Sequence, residues 1–126
     1  MKLLLDTCAV IWLVTGERPI PARVRSAMAD ADVMLSAASA WEIAIKSAKG
    51  TLHLKEAPDR LVPAVRARYG FAALPIDEES ALHIGKLPAL HADPFDRMLV
   101  SQAIVHGLTI ITPDPLVTQY PARTIW

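Results

Sequence analysis

The chain has almost no cysteine, since Cys8 is the only one among 126 residues. A single thiol excludes an internal disulfide and is typical of a protein in a reducing compartment. The sequence also lacks an apolar run long enough to cross a bilayer. We also expect no secretory signal, because Asp6 interrupts the short apolar run that follows Lys2. We therefore expect a cytoplasmic protein that makes no use of a membrane.

Net charge is also missing, because 13 basic and 13 acidic residues cancel. No global field would draw nucleic acid to such a protein, so any contact must come from a local basic patch. The candidate patches are Arg60, Arg66 and Arg68, and Lys46 with Lys49.

Apolar residues are plentiful, at 52% of the chain. This is a high share for a small protein. The length is sufficient for one domain, residues 1–126, with a core that needs neither disulfides nor structural metal. We expect part of the apolar surface to stay exposed and to meet a partner.

Strand-like and helix-like segments alternate along the chain. Buried strands are predicted at Lys2–Leu5, 33–35, 72–76 and 108–111, with a short edge strand at 123–126. Helices are predicted over 8–14, 21–29, 37–49, from Pro58 onward, from 77 to about 87, and over 93–106. Strands separated by helices imply an α/β fold with three layers, in which helices flank a central parallel β-sheet of four to five short strands.

Apolar spacing predicts the buried face of two of these helices. Leu61, Val65 and Tyr69 recur one turn apart in the helix that begins at Pro58. Trp41 and Ile45 recur in the same way in the helix before it. We expect both stripes to face the core, and the Glu42 carboxylate, next to Trp41, to lie near the core boundary.

Acidic residues stand where predicted elements begin or end. Asp6 follows the first strand and Asp114 the fourth, while Glu42, Asp93 and Asp96 lie near helix starts. Ligands of parallel sheets bind outside the carboxyl ends of the strands, so these acids should converge on one edge. Crowded carboxylates either bind a hard divalent cation or destabilise the fold by repulsion.

Each acid taken alone also has an ordinary structural explanation. Asp6 and Asp114 fit turn or cap residues, and Asp93 fits the cap of its helix. Glu42 precedes Lys46 by four residues, which is a favourable surface pair. For each acid alone the structural explanation is favoured. It is less convincing for all of them together, because chance does not usually place every acid at one edge of the sheet.

Other kinds of site find little support. The histidines His53, His83, His91 and His106 show no zinc-ligand spacing. The chain has neither a glycine-rich phosphate loop nor a nucleophile elbow. Cys8 has no basic neighbour and is expected to be a core residue rather than a nucleophile.

Two other magnesium-binding classes do not fit the residues after the strands. Phospho-receiver domains need adjacent acids after the first strand and a lysine after the last, whereas Thr7 follows Asp6 and no lysine follows residues 108–111. Haloacid-dehalogenase phosphatases need an Asp-x-Asp pair, which Asp6-Thr7-Cys8 lacks.

Five segments resemble the PIN-domain nucleases, and within them the VapC-type toxins of bacterial toxin–antitoxin modules. They are residues 3–7 (LLLDT), 36–46 (SAASAWEIAIK), 74–76 (LPI), 91–97 (HADPFDR) and 111–114 (ITPD). They occur in the expected order over nearly the whole chain, and WEIAIK with DPFDR is specific for one branch of the family. The chain departs from that branch at Cys8, where histidine is common, and at Pro113, where a basic residue is common.

The resemblance implies an acidic site of Asp6, Glu42, Asp96 and Asp114. Asp6 and Asp96 are expected to bind Mg²⁺ or Mn²⁺ directly, and the other two to orient the attacking water or hold a second ion. Asp93 is either a supporting residue or an alternative ligand. The hydroxyl groups expected to support the acids are those of Thr7, Ser36 and Thr112.

The resemblance further implies a divalent-metal-dependent endoribonuclease that hydrolyses phosphodiester bonds in structured RNA, such as tRNA or rRNA. As partners it implies a cognate antitoxin protein and a second copy of the chain in a homodimer. The alternative is a catalytically degenerate PIN domain that only binds RNA or protein.

Overall fold

Five short parallel strands form the centre of the molecule. The computed structural model describes the whole chain, residues 1–126. The strands are β1 (Lys2–Leu5), β2 (Asp32–Ser36), β3 (Ala72–Leu74), β4 (Thr109–Ile111) and β5 (Thr124–Ile125). The sheet order is β3-β2-β1-β4-β5, and every neighbouring pair is parallel. The sequence-based expectation of an α/β fold with a parallel sheet is confirmed.

Helices connect the strands and cover both faces of the sheet. They are α1 (Thr7–Thr15), α2 (Ala22–Ala29), α3 (Ala37–Ala48), α4 (Pro58–Tyr69), α5 (Glu78–His83), α6 (Pro94–His106) and α7 (Pro115–Thr118), with a 3₁₀ turn at Ile84–Lys86. The longest, α6, has 13 residues. None of these helices combines the length and the apolar character that crossing a bilayer requires.

The central strand β1 separates two halves of the core. Leu3 and Leu5 point into a cluster with α1, α2, α3 and α4, while Leu4 points into a second cluster with α6 and α7. Side chains alternate along a strand, so a continuous leucine run is buried on both faces only if helices cover both. The sheet and the helices on its two faces form the three layers of the fold.

The strand order places a switch point between β1 and β4. The chain proceeds from β1 to β2 and β3 on one side, and then returns to β4 and β5 on the other. At such a point the loops after the two central strands diverge and leave a crevice at the carboxyl edge. Asp6 follows β1 and Asp114 lies three residues after β4, so both border this crevice.

Several boundaries differ from the sequence-based expectation. Strand β3 ends at Leu74 instead of residue 76, and β4 begins at Thr109 instead of 108. The helix expected from 77 to about 87 is a short α-helix followed by the 3₁₀ turn. Helix α7 was not predicted, because a four-residue helix has no measurable periodicity.

Both predicted apolar stripes are wrong in part. Tyr69 is exposed and stacks on Phe71 at 5.3 Å, while Val62 joins Val65 in the core. Trp41 is 57% exposed, whereas its neighbour Glu42 is 5% exposed. Successive residues of a helix are about 100° apart around its axis. The buried face of α3 therefore includes the Glu42 carboxylate at the position where the ring of Trp41 was expected.

Candidate acidic metal site

All five predicted acids line one small pocket at the carboxyl edge of the sheet. The pocket has a volume of about 160 Å³ and is lined by Asp6, Glu42, Asp93, Asp96 and Asp114, together with Thr7, Cys8, Ile11 and Lys46. The acids come from four places in the chain: the ends of β1 and β4, the second turn of α3 and the start of α6. Their roles as ligands or catalysts are predictions, but their convergence is a property of the fold.

Asp6 is the buried centre of the site. Its Oδ1 accepts the backbone N–H of Thr7 at 2.8 Å, and its Oδ2 accepts the Thr112 hydroxyl at 2.6 Å and the Cys8 thiol at 3.5 Å. Burial raises the pKa of Asp6, and the hydrogen bonds from Thr112, Cys8 and Thr7 offset this only in part. A carboxylate buried in this way gains from a nearby cation.

Thr112 joins Asp6 to Asp114. While its hydroxyl donates to Asp6, the same oxygen accepts the backbone N–H of Asp114 at 3.0 Å. The Asp114 carboxylate caps α7 by accepting the N–H of Leu116 at 2.9 Å. Thr112 therefore supports the acids by direct contact, and Asp114 has both a capping bond and a place in the pocket.

Glu42 is paired with the only basic side chain of the pocket. Lys46 Nζ lies 2.6 Å from Glu42 Oε2, and the Lys46 side chain is 47% exposed whereas that of Glu42 is 7% exposed. The hydrogen bond with Glu42 raises the pKa of Lys46, so the ammonium stays charged. The surface pair suggested by the sequence thus exists, but on the pocket side of the helix.

The second oxygen of Glu42 has no partner. Glu42 Oε1 is buried and accepts no hydrogen bond. A buried polar atom without a partner costs about 1–3 kcal/mol. Glu42 Oε1 is therefore a free oxygen ligand in the pocket, and a bound cation would remove this cost.

Asp93 and Asp96 lie one turn apart and have different partners. Asp93 Oδ1 accepts the backbone N–H groups of Phe95 at 2.9 Å and of Asp96 at 3.0 Å, as expected of a helix cap. Asp96 Oδ2 lies 3.0 Å from His91 Nε2. Burial, opposed by the His91 hydrogen bond, raises the pKa of Asp96 to about 6, and the charges of Asp6, Asp93 and Glu42 add to the rise.

His91 is a site residue that the sequence did not reveal. Its Nδ1 lies 2.7 Å from the Tyr120 hydroxyl, which also accepts a hydrogen bond from Arg97 Nη1 at 2.9 Å. The segment HADPFDR contains both His91 and Asp96, so their proximity in sequence was a usable signal. Nothing in the sequence pointed to Tyr120.

The two remaining predicted hydroxyls have different positions. Thr7 lines the pocket, and its hydroxyl is 2.8 Å from that of Ser39 on α3. Ser36 does not contact the acids, because its hydroxyl donates to Gln102 Oε1 at 2.6 Å and accepts the N–H of Ala38 at 3.0 Å. Its hydroxyl anchors the start of α3, so the expectation that Ser36 supports a carboxylate is wrong.

Cys8 and two of the predicted basic residues, Arg66 and Lys46, are less available than the sequence suggests. Burial raises the pKa of the Cys8 thiol, which fits the expectation that it is not a nucleophile. Arg66 is half-buried and donates to the carbonyl of Leu35 at 3.3 Å. Lys46 is committed to Glu42.

The donor set suits a hard divalent cation. Five carboxylates supply oxygen ligands of the kind that Mg²⁺ and Mn²⁺ prefer, and one oxygen is buried without a partner. As the side chains stand, no three acid, histidine or cysteine groups are arranged to enclose a metal ion. Each carboxylate is bonded instead to an amide, a hydroxyl, His91 or Lys46. Binding would exchange some of these partners for the ion.

The fold and the pocket define an α/β protein with an acidic cluster at the switch point of its parallel sheet. The family model of the PIN domain matches residues 3–121. The chain therefore belongs to the PIN domain family, whose nucleases generally use divalent metal ions. No curated protein matches the chain significantly.

Solved structures with the same fold include complexes from bacteria. VapBC2 from Rickettsia felis bound to a promoter DNA fragment has a TM-score of 0.77 at 15% identity, covering 100% of this chain and 99% of that one. DNA-bound VapBC from Salmonella typhimurium has a TM-score of 0.69 at 21% identity, covering 99% and 97%. FitAcB from Neisseria gonorrhoeae has a TM-score of 0.65 at 25% identity, covering 98% and 96%.

Proposed function

We propose that the protein is a Mg²⁺- or Mn²⁺-dependent endoribonuclease that acts as the toxin of a toxin–antitoxin pair in the cytoplasm. The observation that carries this proposal is the convergence of Asp6, Glu42, Asp93, Asp96 and Asp114 on one pocket. The names VapBC and FitAcB of the similar structures support the assignment as a toxin, together with the VapC-type segments of the sequence. The substrate class is structured RNA.

The surroundings of each acid suggest its role in metal binding or catalysis. Asp6 and Asp96, the two whose pKa values burial raises, would hold the ion directly. Glu42 and Asp114 would complete the set and orient the attacking water or hold a second ion. When bound, the ion supplies Lewis-acid activation of the phosphodiester and of that water. Lys46, half-exposed at the pocket, is placed to meet a phosphate once Glu42 has another partner.

An apolar groove beside the site fits the proposed antitoxin. It has a volume of about 650 Å³, and its lining includes Leu13 and Val14 of α1 with Leu61 and Val65 of α4. Helix α1 also lines the acidic pocket through Ile11, so one helix borders both. An amphipathic segment in this groove could extend a basic side chain to the acids.

The homodimer is supported by exposed apolar side chains. The large ones are Met1, Trp41, Tyr69, Ile76, Leu82, Leu90 and Leu116. Surface of this kind is compatible with a partner of the same chain.

We expect the purified protein to cleave structured RNA with Mn²⁺ or Mg²⁺ and not with EDTA. The measurement is gel analysis of total cellular RNA, followed by mapping of the fragment ends. Discrete fragments that depend on metal would support an endonuclease. RNA that stays intact but shifts on a native gel would instead support the degenerate binding domain.

We also expect divalent metal to raise the melting temperature, and more so at higher pH. The folded state binds the Asp96 proton more tightly than the unfolded chain, because the pKa of Asp96 is about 6 in the fold against an ordinary value of 3.8. The metal-free protein should therefore lose stability as the pH rises from about 4 through about 6. An ion at roughly 100 times its dissociation constant should add about 2.7 kcal/mol, or roughly 10 °C.

The check is thermal melting with EDTA, Mg²⁺ or Mn²⁺ at about pH 5 and about pH 7.5, on either side of the Asp96 titration. A shift that is larger at the higher pH supports the acidic site. A melting curve that ignores metal at both values contradicts it.

A further inference from the structure

A directed hydrogen-bond chain ends on one of the proposed metal ligands. It runs from Arg97 through the Tyr120 hydroxyl and the His91 ring to Asp96 Oδ2, with distances of 2.9, 2.7 and 3.0 Å. The chain joins the beginning of α6 to the segment after α7, and both His91 and Asp96 side chains are largely buried, at 11% and 14% exposure. None of the roles assigned above uses Arg97, Tyr120 or His91.

The Arg97 end sets a direction for the chain, and with a neutral His91 ring one tautomer satisfies every donor and acceptor. A guanidinium only donates, so the Tyr120 oxygen accepts from Arg97 and keeps its own proton to give away. In that arrangement the Tyr120 hydroxyl donates a hydrogen bond to His91 Nδ1, which is therefore the acceptor nitrogen. The ring proton then resides on Nε2 and is donated to the Asp96 carboxylate.

The beginning of the chain is fixed to the backbone. Arg97 Nη1 also donates to the carbonyl of Pro88 at 2.9 Å, and Nη2 donates to the carbonyl of Ile84 at 3.4 Å. Tyr120 is buried and packs against the His91 ring, with centroids 5.4 Å apart. These contacts restrict the orientations of Arg97 and Tyr120 and, through His91, that of Asp96 Oδ2.

We infer that His91, Tyr120 and Arg97 are positioning residues that fix His91 as the Nε2–H tautomer and hold one Asp96 oxygen so that the other faces the acidic pocket. This inference rests on the proposed metal site, which it deepens. Partners that orient a ligand typically change metal affinity or activity by about 10–100-fold when they are lost.

The first test uses the metal-free protein and does not depend on activity. Nitrogen-15 NMR of the histidine rings should show His91 with a bare Nδ1 and a protonated Nε2. In Tyr120→Phe, which removes only the hydroxyl, the Nδ1 signal should move to the position of an acceptor nitrogen without a hydrogen bond, while Nε2 stays protonated because Asp96 still accepts from it. A wild-type His91 with its proton on Nδ1, or an unchanged Nδ1 signal in Tyr120→Phe, would overturn the inference.

The second test measures Mn²⁺ affinity by titration calorimetry alongside thermal melting. His91→Leu should bind Mn²⁺ roughly tenfold more weakly or worse, and His91→Gln should recover much of the loss because its amide nitrogen can replace Nε2. The matched control is His106→Leu, since His106 Nε2 forms the same 3.0 Å pair with Asp77 Oδ1 outside the pocket. It should change stability but not Mn²⁺ affinity.

Equal weakening by His91→Leu and His106→Leu would reduce the effect to general destabilisation and refute the positioning role, as would wild-type affinity in His91→Leu. If the wild-type protein itself binds no Mn²⁺, the proposed metal site fails, whereas the tautomer measurement still decides the hydrogen-bond chain.

Discussion

Replacing Asp6 by asparagine should abolish cleavage and the response to metal while leaving the fold intact. Asp6 is the most buried acid of the pocket and is the point on which Thr7, Cys8 and Thr112 converge. Asparagine is nearly isosteric but removes the charge that a cation needs. Because a metal Lewis acid is worth several kcal/mol, the rate should fall by roughly a thousandfold.

Stability gives the same experiment a second outcome. Since burial of the charged form raises the pKa of Asp6, Asp6→Asn should melt at or above the temperature of the metal-free wild type near neutral pH. A suitable control is Asp32→Asn, because Asp32 is exposed at the amino end of β2, at the opposite edge of the sheet. An Asp6→Asn protein with full activity would refute the mechanism.

Asp96→Asn should lose cleavage, whereas Asp93→Asn should keep much of it. Asp93 uses Oδ1 on two backbone amides of its own helix, a role that the amide oxygen of asparagine fills nearly as well. Asp96 caps nothing, and its carboxylate pairs only with His91. We expect a loss of roughly 100-fold or more for Asp96→Asn, by removal of one metal-site charge, and a change within about tenfold for Asp93→Asn.

The two variants should be compared in one RNA cleavage assay, with circular dichroism as the check on folding. Both acids line the pocket, so the outcome is not decided by position alone. If Asp93→Asn were inactive and Asp96→Asn active, the metal ligand would be Asp93, one turn before Asp96.

Much of the scaffold follows from local sequence signals. The unbroken leucine run of β1 requires cover on both faces, and Ser36, Asp93 and Gly107 mark helix ends by their capping chemistry. These signals act over a few residues, so they survive without knowledge of the rest of the chain. Local signals also explain two errors. Helix α7 was missed because it is too short to show an apolar period, and Trp41 was assigned to the buried face of α3 although it is exposed.

The sequence by itself determined which acids are present and that the ends of parallel strands would bring Asp6 and Asp114 to one edge. It could not determine what each carboxylate touches. The bonding of Ser36 to Gln102 rather than to an acid, the pairing of Lys46 with a buried Glu42, and the approach of Tyr120 to His91 all depend on how the folded segments meet. Only tertiary structure decides these, because hydrogen-bond direction and burial, and with them the pKa of each acid, are set by neighbours that sequence spacing does not specify.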